Sequence, residues 1–128
     1  MRRFLPALLW ALFIFFLSDQ PKLPTPPIAF EGLDKLIHAG FYGVLAGLLW
    51  WADRGQIRRA WVWVGACVLY GASDEFHQCF VPHRKADLLD LLADTAGAAL
   101  AMALLLKLAA RKPKSTELQK GCTYDPTL

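Results

Sequence analysis

Charge is scarce in this chain. Asp, Glu, Lys and Arg make up 20% of its 128 residues, whereas 55% are hydrophobic, a balance on the apolar side of ordinary soluble domains. Cysteine is equally sparse, and three scattered copies cannot staple a secreted disulfide scaffold. No self-similar period runs through the sequence, which excludes a solenoid. The formal charge is only +3, and the basic residues lie at segment ends rather than along one face. That pattern argues against a nucleic-acid partner.

What is present is clumped apolar sequence. Residues 4–17, 36–52, 60–72 and 88–110 hold most of it, separated by Pro- or Arg-rich breaks. A bilayer core of roughly 30 Å takes about 20 helical residues. Residues 88–107 meet that length outright, interrupted by Asp90 and Asp94, and 34–52 and 60–76 meet it with ionisable residues at one end. The first segment is shorter and needs Arg3 and Ser18-Asp19 as snorkelling flanks. Arg2-Arg3 ahead of an apolar run also fits a signal peptide, but Phe16-Leu17-Ser18 offers no small-x-small cleavage site. The expected fold is all-α: an integral membrane bundle of four transmembrane helices, about 3–19, 34–52, 60–76 and 88–107, in one domain over residues 1–110. Three spans behind a cleaved signal are the alternative. Residues 111–128 read as a disordered basic cytoplasmic tail.

Orientation follows from Lys and Arg. With the N-terminus inside, Arg2, Arg3, Arg54, Arg58, Arg59, Lys107, Arg111, Lys112, Lys114 and Lys120 are cytoplasmic, leaving Lys22, Lys35, Arg84 and Lys85 outside. Both termini are then cytoplasmic. Trp50, Trp51, Trp61 and Trp63 bracket the inner hairpin, which contains Gly55, as an interfacial belt does. The first outer connection is Pro-rich and extended, with Pro21, Pro24, Pro26 and Pro27. Cys67, Cys79 and Cys122 fall at three different depths, too far apart to pair within one chain.

The acids are distributed the opposite way. Asp19, Glu31, Asp34, Asp74, Glu75, Asp87, Asp90 and Asp94, eight of the 11, lie toward the outside, and several sit within the spans. Charges at such depths cost about 2.5–3.5 kcal/mol each on insertion scales, so they face a bundle interior and take partners. At 100° per residue, His38 lies about 40° and Tyr42 about 80° from Asp34 around the second helix. Asp87, Asp90 and Asp94 share a sector of about 60° on the fourth, and Gly97 continues it. Glu75 and Gln78 are one turn apart at the end of the third, and Arg84 leads into the fourth. Each feature also has a plainer explanation. Asp34-Lys35 suits a helix N-terminus electrostatically, Tyr42 suits packing, and a paired buried imidazole accounts for His38. Gly43-x-x-x-Gly47 and Ala93-x-x-x-Gly97-x-x-x-Ala101 are small-residue stripes for close helix contact. His83 and Lys85 read as solvated.

The series Asp34-Lys35-x-x-His38-x-x-x-Tyr42, Glu75-x-x-Gln78 and Arg84-x-x-Asp87-x-x-Asp90 resembles the VanZ-like family, named after a teicoplanin-resistance protein. Ser18 and Gly97 fit the same pattern, and the resemblance spans roughly residues 8–107. Asp94 departs from it, asparagine being the more usual residue there. The resemblance implies a small multi-pass bacterial protein of the cell membrane, linked in its founding member to glycopeptide resistance, and supplies no reaction.

Three function classes follow. A binding protein uses an extracytoplasmic-facing pocket for a membrane lipid or lipid-linked cell-wall precursor, with Arg84 and Lys35 meeting phosphate or carboxylate. An enzyme uses His38 as general acid or base, Glu75 or Asp90 to orient it, and Arg84 to stabilise an anion. Its metal-dependent hydrolase variant draws on His38, Glu75, Asp90 and perhaps His77. No HExxH or similarly compact motif is present, so neither a metal nor a cofactor is assigned. The third class is a small scaffold or subunit for a membrane-protein partner, in which the polar centre only fixes helix register. Ligand contact is expected from Asp34, Lys35, His38, Tyr42, Glu75, Gln78, Arg84, Asp87, Asp90 and Asp94.

Overall fold

The computed structural model describes residues 2–20 and 32–111. These form four α-helices that alternate in direction: α1 Leu5–Ser18, α2 Leu33–Ala52, α3 Ala60–Gln78 and α4 Leu88–Ala110. Short 3-10 turns precede α1 at Arg2–Phe4 and α3 at Ile57–Arg59. The four expected helices are all present. α3 and α4 run a little past their expected ends, because polarity that disfavours a lipid setting does not break a helix. The Pro-rich connection over 21–31, with Glu31 and Lys22, and the tail from residue 112, with Cys122, lie outside the described residues.

Local chemistry sets the helix ends. Pro6 sits in the first turn of α1, where no N–H is needed. Asp87 caps α4, its carboxylate accepting from the Leu89 N–H at 2.9 Å. Between α2 and α3 the chain reverses through Arg54 and Gly55, both at positive φ, and the Gly55 N–H closes the turn on the Trp50 carbonyl at 2.9 Å. The tight hairpin read from the sequence is therefore present.

Packing is closest between α2 and α4, and glycine permits it. A Cβ built on Gly97 would overlap the Ala39 backbone, and one on Gly43 would lie 3.2 Å from the Gly97 carbonyl oxygen. Backbones that touch in this way gain dispersion along their length. Tyr42, Leu45, Ala46, Val64, Cys67, Ala98 and Met102 form the core behind this crossing. α1 adds Ala7 and Ile14 and is tied down by two hydrogen bonds. Trp10 Nε1 donates to the Phe41 carbonyl at 2.9 Å, and the Tyr70 hydroxyl to the Ala11 carbonyl at 2.6 Å.

The outside of the bundle is apolar. Leu8, Leu12, Phe16, Leu69, Phe76, Leu100 and Leu104 are all exposed, more than a water-facing surface normally carries contiguously. Among the described residues, only α4 is by itself long and apolar enough to cross a membrane.

Candidate functional site

The α2–α4 crossing places polar residues as well as apolar ones. His38 precedes Ala39 at the contact, and Asp94 lies one turn before Gly97. Closing the two backbones therefore brings the imidazole to the carboxylate: His38 Nδ1 is 3.0 Å from Asp94 Oδ1. His38 Nε2 faces Asp90 Oδ2 at 3.9 Å. One turn nearer the helix ends, Lys35 Nζ pairs with Asp87 at 2.8 Å, with Asp34 at 3.2 Å and, at short range, with Asp90. This ammonium and the Leu89 N–H hold the Asp87 carboxyl below its ordinary range.

α3 closes the third side. Val64, Cys67, Gly71, Asp74, Glu75 and Gln78 are all buried at spacings of three and four, so one stripe runs from core to polar end. Glu75 Oε2 accepts the Asp87 backbone N–H at 2.8 Å, which fixes the entry to α4. Gln78 Nε2 donates to Ser18 Oγ at 2.8 Å and to Asp74 Oδ2 at 3.4 Å. Gly71 leaves room at the centre: a Cβ there would meet Asp94 Oδ2 at 3.2 Å and the Tyr42 ring at 3.3 Å.

Several buried oxygens in this cluster are left over. Asp94 is 1% exposed, Tyr42 1%, Asp74 4% and Glu75 7%. Among the described residues, no hydrogen-bond partner reaches Asp94 Oδ2, Tyr42 Oη, Asp74 Oδ1 or Glu75 Oε1. Native interiors leave few such atoms, since each one costs about 1–3 kcal/mol in lost solvation.

The structure brings some of the sequence-predicted residues together and leaves others apart. Lys35, His38, Tyr42, Glu75, Asp87, Asp90 and Asp94 converge. Asp34 is at the margin, its side chain 62% exposed and touching only Lys35. Gln78 is buried and turned toward Ser18 and Asp74. Arg84 is a correction. Among the described residues it meets no carboxylate; its guanidinium donates to the Gln20 carbonyl at 3.1 Å and the Leu17 carbonyl at 3.2 Å, capping the end of α1. The reason is steric reach. Residues 79–87 turn back toward α1 before entering α4, and the bare carbonyls of a helix end attract a fork of N–H donors. The enzyme reading loses its anion stabiliser, and Asp94 replaces Glu75 or Asp90 as the group nearest His38. His77 also lies elsewhere, with Asp19 at 3.1 Å and the Phe15 ring. His83 and Lys85 are exposed, as expected. Asp74 was counted only as a charge in the sequence reading; the three-and-four stripe from Val64 to Gln78 was the signal for it.

Comparison with curated proteins and with solved structures gives no match. A family model described as VanZ/LLP1 matches residues 4–110, a stretch that takes in all four helices and every polar group above. The expected family resemblance is met over the whole described bundle, and the chain belongs to the VanZ/LLP1 family of membrane-associated proteins.

Proposed function

We propose that all four helices cross the cell membrane with both termini cytoplasmic, and that the polar cluster faces outward. There it binds or modifies a lipid-linked cell-envelope component, a role associated with glycopeptide (teicoplanin) resistance. The observation that carries this reading is the convergence of α2, α3 and α4 polar groups at one bundle end. Exposed Leu36, Phe76, Phe80, Leu88 and Leu89 surround that end. A headgroup entering from the lipid therefore meets polar partners while its tail stays on an apolar wall. The opposite end gathers Arg2, Arg3, Arg54, Arg58 and Arg59, which supports placing it in the cytoplasm.

The excess of carboxylates refines the ligand. With Arg84 withdrawn, Lys35 and His38 face Asp34, Asp74, Glu75, Asp87, Asp90 and Asp94. A headgroup rich in donors, such as sugar hydroxyls, amides and amines, suits that surplus of acceptors better than a bare phosphate does. Lys35, still partly accessible between the helices, is the cluster's own point charge for a phosphate.

Reporter fusions after residues 55 and 112 should read cytoplasmic, and those after 24 and 82 extracytoplasmic. A cytoplasmic reading at 82 ends the outward-facing reading. In a host where expression lowers teicoplanin susceptibility, His38→Ala, Glu75→Gln and Asp90→Asn should abolish the effect at unchanged membrane abundance. Reduced abundance in all three would favour the scaffold class.

A further inference from the structure

The geometry points to a divalent transition-metal ion, of the Zn2+ or Mn2+ class, held by His38, Glu75 and Asp94. One donor atom from each of these residues lies within 4.8 Å of the other two. A metal 2.0–2.2 Å from its N and O ligands sets them roughly 3–4 Å apart. The 3.0 Å between His38 Nδ1 and Asp94 Oδ1 already meets that spacing, and Glu75 offers its donor oxygen within the 4.8 Å set.

Three further observations agree. Glu75 and Asp94 each keep one buried oxygen without a partner, and so does Tyr42, whose ring shares the Gly71 surface with Asp94 Oδ2. Groups behind the ligands also stand where they can orient them. With Nδ1 turned to the metal, His38 Nε2 faces Asp90 Oδ2 at 3.9 Å, and Glu75 Oε2 is anchored by the Asp87 N–H at 2.8 Å. Charge favours it too. Lys35 is engaged by Asp34, Asp87 and Asp90, and Arg84 by α1, so among the described residues no lysine or arginine pairs with Glu75 or Asp94. A dication beside a neutral imidazole cancels their two charges. One nitrogen with carboxylates is a hard-to-borderline set, which suits Zn2+ or Mn2+ above Mg2+. The inference goes beyond the envelope-ligand reading and requires neither its orientation nor its lipid.

The test is metal uptake by the full chain, purified in detergent and stripped with chelator. Zn2+ and Mn2+ are added separately, with Mg2+ as comparator, and metal is counted per mole of monodisperse protein. One equivalent of Zn2+ or Mn2+ should bind. Affinity should fall at least 100-fold in His38→Ala, Glu75→Gln and Asp94→Ala, and stay unchanged in His77→Ala. Co2+ added to the stripped protein should give visible d–d absorption that His38→Ala abolishes. Glu75→Gln keeps the side-chain volume, so it reports on ligation where a truncation merely unfolds. No stoichiometric Zn2+ or Mn2+ in the wild type, equal uptake by the Glu75→Gln variant, or Mg2+ binding as tightly as both, would each overturn the site. Carboxyls neutralised by protons alone would give the first of these results.

Discussion

Two ends of one bundle treat a buried aspartate differently. At the α2–α3 hairpin, Asp53 is 8% exposed and both its oxygens are used: Oδ1 accepts from Arg59 Nη1 at 3.1 Å and Oδ2 from Trp63 Nε1 at 3.0 Å. Among the described residues only the Trp50 indole N–H is bare at that end. Across the bundle, Asp94 shares one oxygen with His38 and leaves the other unmet; Asp74 and Glu75 likewise use one oxygen, on Gln78 Nε2 and the Asp87 N–H, and leave the other unmet. The hairpin carboxylate finishes a turn. The others hold acceptor capacity that the protein itself does not use, which is a property of binding sites more than of folding cores.

The largest effect should come from separating the helices that create the polar end. Gly97→Leu forces a side chain into the Ala39 backbone. Since backbone cannot rotate aside, the loss should reach or exceed about 3 kcal/mol, the upper range of overpacking. Size-exclusion profiles and thermal unfolding in detergent would register it as loss of the monodisperse species. The next pair sets the two ends directly against each other. Asp53→Ala strands the Trp63 N–H and should cost about 1–3 kcal/mol while leaving ligand and metal binding intact. Asp94→Asn removes an unsatisfied charge and, in chelator-stripped protein, should stabilise on the order of 1 kcal/mol while weakening the site. Thermal midpoints beside binding curves decide it. Two variants that move both readouts in the same direction would dissolve the contrast.

Smaller effects follow at the rim. Arg84→Lys keeps a charge but cannot fork onto two carbonyls, so about 0.5–1.5 kcal/mol of stability should go with ligand binding preserved. Loss of binding at matched abundance would return Arg84 to the site. The smallest shift concerns pH. Lys35 holds the Asp87 carboxyl below its ordinary range. Its contribution is therefore fully present above the unfolded value near pH 4 and is lost as pH falls through the depressed folded value. Midpoints of wild type and Asp87→Asn should run parallel from pH 7 to 5 and converge on further acidification.

How far the sequence carried the reading depended on what each residue meets. What 3.6-residue periodicity and a shared depth made legible was the meeting of two polar faces, His38 and Tyr42 on α2 with Asp87, Asp90 and Asp94 on α4; the individual pairs were not, since His38 was expected beside Glu75 or Asp90 and meets Asp94. The Gly97 stripe was legible because small residues at fourfold spacing mean contact. Side chains that pair with backbone were not. Arg84 meets the carbonyls of Leu17 and Gln20, and Glu75 meets the N–H of Asp87. Those partners exist at every position and have no letter, so only the path of the chain chooses among them. Asp74 was missed for a third reason. Beside a second acid, its own place in a buried stripe was easy to overlook.

Helix length adds a consequence for the surroundings. α1 has 14 residues and α4 has 23, which at 1.5 Å per residue is about 21 Å against 34 Å. No single hydrocarbon thickness suits both. In a bundle whose helices all span, lipid tails beside α1 must shorten, at fractions of a kcal/mol per ångström of mismatch. On the proposed topology, thinning at the outer end of α1 would fall beside Ser18, which touches Gln78 next to the carboxylate cluster. Water and headgroups would then dip toward the proposed site, and the protein should partition toward thinner membranes.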